Sequence, residues 1–300
     1  MIAWAGSSVQ APAEIFASSA TAPGPFQITS LNAPVLKDVF CSTAEPFEYP
    51  GAGGTEVHGW IVKPPNFRLG KRYPLLVMIH GGPQGAWLDS FHYRWNPQPF
   101  AAAGYVVFMP NPRGSTGYGQ KFVDEISGDW GGKPYEDIWR GIEHLIQKTG
   151  WIDEQRVGAL GGSYGGYMVN WILGHSKRFK ALLSHAGMFD LPASWGTTEE
   201  LWFPEWEFGK TPWENREGYE KWSPHLFAQN FKTPTLVVHG EEDYRVGVHN
   251  ALELFSTLQR KGVPSKLLYF PDEGHFILKP QNSRLWYETA VAWFGEWLKP

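Results

Sequence analysis

Tyr73-Pro74-Leu75-Leu76-Val77-Met78-Ile79-His80 is an almost unbroken apolar run, and Tyr105–Met109, Arg156–Leu160, Lys180–His185, Thr235–His239 and Ser265–Phe270 repeat the form along the chain. Short runs rich in Val, Leu and Ile predict strands buried on both faces. Thr55–Val62 instead alternates apolar with polar positions, as a half-exposed strand does. Between these runs the period lengthens. Tyr135–Lys148 carries Ile138, Ile142, Leu145 and Ile146 at helical spacing, Asn250–Arg260 and Leu285–Leu298 read as amphipathic helices, and Phe91–Ala103 is expected to be helical too. Strands alternating with helices predict a mostly parallel, doubly wound sheet covered by helices on both faces, an α/β fold. The aromatic stretch Ala193–Trp222 breaks the rhythm and is expected as an insertion over the sheet. Residues 1 to about 30 are rich in Ala, Ser and Pro, with one strand-like piece, Ala13–Ala17, and are expected to have neither a partner nor a core of their own. The expected division is therefore an N-terminal segment, 1–34, and a single large domain, 35–300.

One turn in this pattern carries chemistry. Gly161-Gly162-Ser163-Tyr164-Gly165-Gly166 lies between the Arg156–Leu160 run and the helical stretch Tyr167–Leu173. That is G-x-S-x-G in the strand-to-helix setting of an α/β-hydrolase nucleophile elbow. A serine hydroxyl is a weak nucleophile and needs a tight turn that lifts it toward a base. Ser163 is the candidate. The glycine spacing fits neither dinucleotide nor P-loop phosphate motifs.

Composition narrows the alternatives. A net charge of -4 with 19% charged residues leaves no basic stripe, so a nucleic-acid partner is not expected. Cys41 stands alone, which excludes an intrachain disulfide and thiolate-rich metal sites. The 10 histidines show no H-E-x-x-H spacing, so neither metal nor cofactor is expected. Met1–Ala5 has no basic n-region or long apolar core and no stretch is long enough to span a bilayer, so neither a secretion signal nor membrane insertion is expected and the default compartment is the cytoplasm.

In this fold the acid and the histidine follow the serine along the chain, each past a strand end. Asp243 occupies the loop after Thr235–His239, with Glu241 and Glu242 as competing acids. His275 follows the last strand, whereas His185 and His239 come too early. Ser163, Asp243 and His275 thus form the expected triad. Oxyanion donors are expected from the Tyr164 N–H and from His80-Gly81-Gly82-Pro83, either through His80 or through the N–H of Gly81.

The Ser163 motif, the run Asn111-Pro112-Arg113-Gly114-Ser115-Thr116-Gly117-Tyr118-Gly119 and the contexts of Asp243 and His275 together resemble the prolyl oligopeptidase family of serine peptidases, with particular likeness to its dipeptidyl-peptidase V and acylaminoacyl-peptidase branch. The resemblance runs from about residue 35 to 300. It implies a hydrolase domain beneath a β-propeller, of which Ser7–Ala17 resembles the final blade. It also implies that Arg245, two residues past the acid, binds a substrate carbonyl. Trp202, Phe203 and Trp206 are expected to wall an apolar substrate pocket. The expected function is cleavage of short peptides or aminoacyl derivatives through an acyl-enzyme. A carboxylesterase of broad or feruloyl type and a non-catalytic interaction module are the alternatives, and a homo-oligomer is a possible assembly.

Overall fold

The computed structural model describes residues 1–19, 21 and 24–299. Its strands are β1 (Ile2–Ser8), β2 (Ala11–Ser18), β3 (Phe26–Gln27), β4 (Ala44–Pro50), β5 (Glu56–Val62), β6 (Tyr73–Ile79), β7 (Val106–Asn111), β8 (Ile152–Gly162), β9 (Ala181–His185), β10 (Thr235–Gly240) and β11 (Ser265–Phe270). The last eight form one sheet in the order β4-β5-β7-β6-β8-β9-β10-β11. β4–β5 and β5–β7 pair antiparallel, and every other pair is parallel.

The apolar runs partition by the two-residue period of a strand. Leu75, Val77 and Ile79 of β6 enter one core with the helices Lys133–Thr149, Tyr164–His175 and His249–Arg260, while Leu76 and Met78 enter a second core with the helices Gln98–Ala102 and Pro280–Leu298. β10 divides the same way, Val237 to the first core and Leu236 and Val238 to the second. Continuous hydrophobic runs are therefore required, because neither face of the central sheet meets water.

Two expectations are corrected and one strand is added. Helix does not extend over 91–103 but only over Gln98–Ala102. Pro97 precedes that turn and holds Asn96 out of helical geometry, and the bulky residues before it form a loop. A strand at Ala44–Pro50 adds an antiparallel edge that the sequence pattern hid, since Pro46 and Pro50 are tolerated only where one side of a strand is unpaired. Within residues 1–30, Ala13–Ala17 lies in a strand that does have partners: β1 and β3 flank β2 in a separate antiparallel sheet.

A buried ion pair fixes the loop after β7. Arg113 donates through Nε to Asp137 Oδ2 at 2.6 Å, and Asp137 Oδ1 accepts from the Ala52 N–H at 2.8 Å. Nearby, Asn111 receives the Trp87 N–H at 2.7 Å and donates to the Trp87 carbonyl at 3.0 Å. The Asn111–Gly119 run thus braces the loop that follows β6.

Candidate active site

β8 is central and paired on both sides, and the chain leaves it at Gly162 to enter the helix Tyr164–His175 without a spacer. Ser163 turns that corner with φ 59° and ψ −122°, a conformation that costs on the order of 1–3 kcal/mol for a residue with a side chain. Two close approaches enforce the glycines. A Cβ on Gly165 would strike the Ile79 carbonyl, and one on Gly162 would strike the Trp95 indole. Ser163 N–H donates to the His185 carbonyl at 2.9 Å, which pins the turn to the end of β9. As the first residue of a helix, Tyr164 has an N–H with no intrahelical acceptor. Its ring is buried, its hydroxyl donating to the Trp130 carbonyl at 2.8 Å.

Asp243 and His275 reach this corner from the loops after β10 and β11. Asp243 Oδ2 lies 2.8 Å from His275 Nδ1, and Oδ1 accepts the N–H groups of Arg245 at 3.0 Å and Val246 at 2.9 Å. Neither Glu241 nor Glu242 makes such a contact with His275 among the described residues. His239, set aside in the sequence for its early position, stands behind the carboxylate. Its Nε2 is 3.2 Å from Asp243 Oδ2 and 2.7 Å from the Val246 carbonyl, so Nε2 carries the proton. Burial pushes the Asp243 carboxyl up, but hydrogen bonds from His239 and His275 outweigh it and hold the group well below the ordinary carboxylate range. The carboxylate is charged and fully committed.

Ser163 and His275 line one open cavity of about 480 Å³. Gly81 comes against the serine from the end of β6: a Cβ placed there would lie 3.2 Å from Ser163 Cβ. The His80 ring corrects an expectation. Its Nε2 is 2.8 Å from Ser115 Oγ and its Nδ1 is 2.8 Å from the Gly81 carbonyl, so neither nitrogen is a free donor. His80 shapes the loop, and of the two candidates in this segment only the Gly81 N–H is without a partner among the described residues.

The aromatic wall is also corrected. In the helix Trp202–Phe208, Trp202 and Trp206 are separated by one turn and share the solvent face, 66% and 71% exposed. Phe203 lies on the other face and does line the cavity, joined by Trp130, Trp195 and Phe208. Arg245 lines it too, held by Glu199 Oε1 at 3.1 Å from Nη2 and by Glu200 Oε2 at 3.3 Å from Nε. Beneath this wall is Glu207, buried, accepting from Trp130 Nε1 at 2.7 Å, Gln84 Nε2 at 2.7 Å and Ser127 Oγ at 3.4 Å. Burial pushes its carboxyl up despite those donors. Sequence reading missed Trp95, Trp130 and Glu207; a carboxylate inside the aromatic run Trp202–Phe208 was the available signal for the last.

A mostly parallel sheet, a strained serine between strand and helix, and an Asp and a His on successive strand-end loops define the α/β-hydrolase fold. The family model for the prolyl oligopeptidase family matches residues 91–300, and the chain belongs to that family. A dipeptidyl-peptidase 5 of Schizosaccharomyces pombe is 49% identical over 253 residues, 84% of this chain and 37% of that protein. A probable dipeptidyl-peptidase 5 of Aspergillus clavatus is 45% identical over 268 residues, 88% of this chain and 37% of that protein. Among solved structures, the Pyrococcus horikoshii acylaminoacyl peptidase superposes with a TM-score of 0.92 at 31% identity, covering 99% of this chain and 48% of that one. An acylaminoacyl peptidase in complex with Z-Gly-Gly-Phe-chloromethyl ketone gives the same values. The chain thus spans less than half the length of each of these relatives.

Proposed function

We propose that this domain is the catalytic unit of a serine peptidase that cleaves short peptides or aminoacyl derivatives through an acyl-enzyme. Ser163 attacks the carbonyl, and His275 takes its proton and returns it to the leaving amine. Asp243 keeps His275 in the Nδ1–H tautomer and stabilises the imidazolium. The N–H groups of Tyr164 and Gly81 receive the oxyanion. The observation that carries this reading is the 2.8 Å contact between His275 Nδ1 and an ionised Asp243, on the same cavity as a serine held at positive φ. The dipeptidyl-peptidase and acylaminoacyl-peptidase relatives support a peptide substrate, and Phe203, Trp130 and Trp195 supply an apolar wall for a side chain beside the scissile bond.

The test is labelling with a fluorophosphonate followed by kinetics. Wild-type protein is expected to label at Ser163, and Ser163→Ala is expected to lose the label and to lower kcat by about 10⁶. Comparing kcat/KM for aminoacyl-peptide amides with that for aryl esters separates peptidase from esterase. Hydrolysis that persists in Ser163→Ala would refute the assignment.

A further inference from the structure

Among the described residues the cavity has two cations on its wall, Arg94 and Arg245, and only one is neutralised. Arg245 is held by Glu199 and Glu200. Arg94 has no carboxylate within salt-bridge distance and no side-chain hydrogen bond among the described residues. Its guanidinium lies 3.8 Å from the centroid of the Phe276 ring, and that ring is 5.0 Å from the His275 ring. The charge is therefore at most about 9 Å from the His275 imidazole.

Its position is fixed by the backbone. Tyr287 Oη donates to the Arg94 carbonyl at 2.8 Å and accepts the Asn96 N–H at 2.8 Å, while Trp95 packs on Gly162, directly before the serine. A second unspent donor shares this wall. His185 Nδ1 accepts from Trp286 Nε1 at 3.1 Å, so the ring proton sits on Nε2, which is buried with no partner. Burial holds this imidazole neutral, its pKa pushed down to about 3. Arg94 and His185 both line the cavity and a small recess that adjoins it.

We propose that Arg94 binds the free C-terminal carboxylate of the leaving fragment, which makes short peptides ending one or two residues beyond the scissile bond the favoured substrates. The inference rests on the peptidase reading above. The leaving amine departs from the side of the histidine that protonates it, and Arg94 is joined to that histidine through the Phe276 ring. An extended residue spans about 3.3–3.6 Å, so a carboxylate one or two residues past the amine comes within reach of the guanidinium. A planar guanidinium stacked on an aromatic ring keeps its N–H edge available for two-point pairing with a carboxylate. Desolvation by the loop walls strengthens that pairing relative to an exposed one.

The experiment measures kcat/KM on peptides that leave one or two residues, each as the free acid and as the C-terminal amide. A charged hydrogen bond of this kind corresponds to a preference for the acid of about 10- to 100-fold. In Arg94→Gln the acid-to-amide ratio is expected to fall toward one, and in Arg94→Lys part of it is expected to remain. Equal rates for acid and amide in the wild type, or a ratio that survives Arg94→Gln, would overturn the proposal. Binding of the corresponding dipeptide acid and amide to Ser163→Ala protein, by calorimetry, gives the same comparison without turnover. Equal dissociation constants there would also overturn it. Failure to cleave any peptide would refute the peptidase reading alone.

Discussion

Asp243→Asn is the most diagnostic single change, because all four contacts of the carboxylate are defined. If the new amide keeps its oxygen toward the Arg245 and Val246 N–H groups, its NH₂ replaces the oxygen that lies 2.8 Å from His275 Nδ1. His275 then has to accept at Nδ1 and carry its proton on Nε2, where it can no longer take one from Ser163. The reversed amide is worse, since it sets an NH₂ against two backbone N–H groups. His239 resists the first arrangement, because its Nε2–H, 3.2 Å from that same oxygen and bonded to the Val246 carbonyl at 2.7 Å, would then face an NH₂. A wrong tautomer lowers kcat by about 10⁴, or about 5 kcal/mol of barrier. The unmatched donor beside His239 is expected to remove about 1–3 kcal/mol of stability as well. Steady-state kcat on an aminoacyl ester, together with the rate of fluorophosphonate labelling, reads the first effect, and thermal melting reads the second. The carboxyl is depressed in the folded protein, so its stabilisation is full above the unfolded pKa near 3.8 and is lost as pH falls below it. The melting difference between wild type and variant is therefore expected to shrink in acid. A folded Asp243→Asn protein that loses less than tenfold in kcat would refute the role given to this residue.

Two further predictions follow from the cavity wall. Glu207→Gln can keep its partners, with its oxygen on Trp130 Nε1 and its NH₂ on a reversed Gln84 amide. The wild-type carboxyl is raised above the unfolded value of 4.5, so wild-type stability falls as pH rises from 4.5 through the folded pKa, whereas glutamine does not titrate. The melting temperature of Glu207→Gln relative to wild type should climb between pH 4 and pH 8, and a constant difference would contradict the burial argument. Phe203→Ala is expected to shift the kcat/KM preference between small and aromatic acyl groups by about tenfold, the scale of removing a buried apolar contact, while Trp202→Ala leaves that preference in place. The reverse pattern would mean that the helix Trp202–Phe208 presents its other face to substrate.

The features legible in the sequence were those written into the local backbone. The runs at Tyr73–Ile79 and Thr235–His239 could only be doubly buried strands, and G-x-S-x-G between strand and helix leaves one geometry for Ser163. The contact between Asp243 and His275 was legible because the fold puts such residues past strand ends in a set order. What stayed hidden depended on three-dimensional facing. Trp202, Phe203 and Trp206 look alike in composition, and only the helical phase set by Glu207 and Phe208 against the core turns two of them outward. His239 precedes Asp243 by one turn of irregular chain, and nothing in the spacing announces that its ring folds back onto the carboxylate. Arg94 and Trp95 sat in a stretch whose apolar content suggested helix, although Pro97 rules it out. Beyond Ile2 and Trp4, the strand Ile2–Ser8 consists of Ala3, Ala5, Gly6, Ser7 and Ser8, which have little intrinsic strand preference, and it forms because β2 offers it a ladder.

Every residue of the helix Tyr164–His175 except the last is buried, and the strand before it is paired on both sides over Gly158–Gly161. The Ser163 hydroxyl therefore hangs from the least yielding piece of the molecule rather than from a hinged surface loop. No partial opening can relax the corner without breaking both cores. On warming, reactivity toward an irreversible label and exchange of the amides in this strand and helix should vanish in one cooperative event.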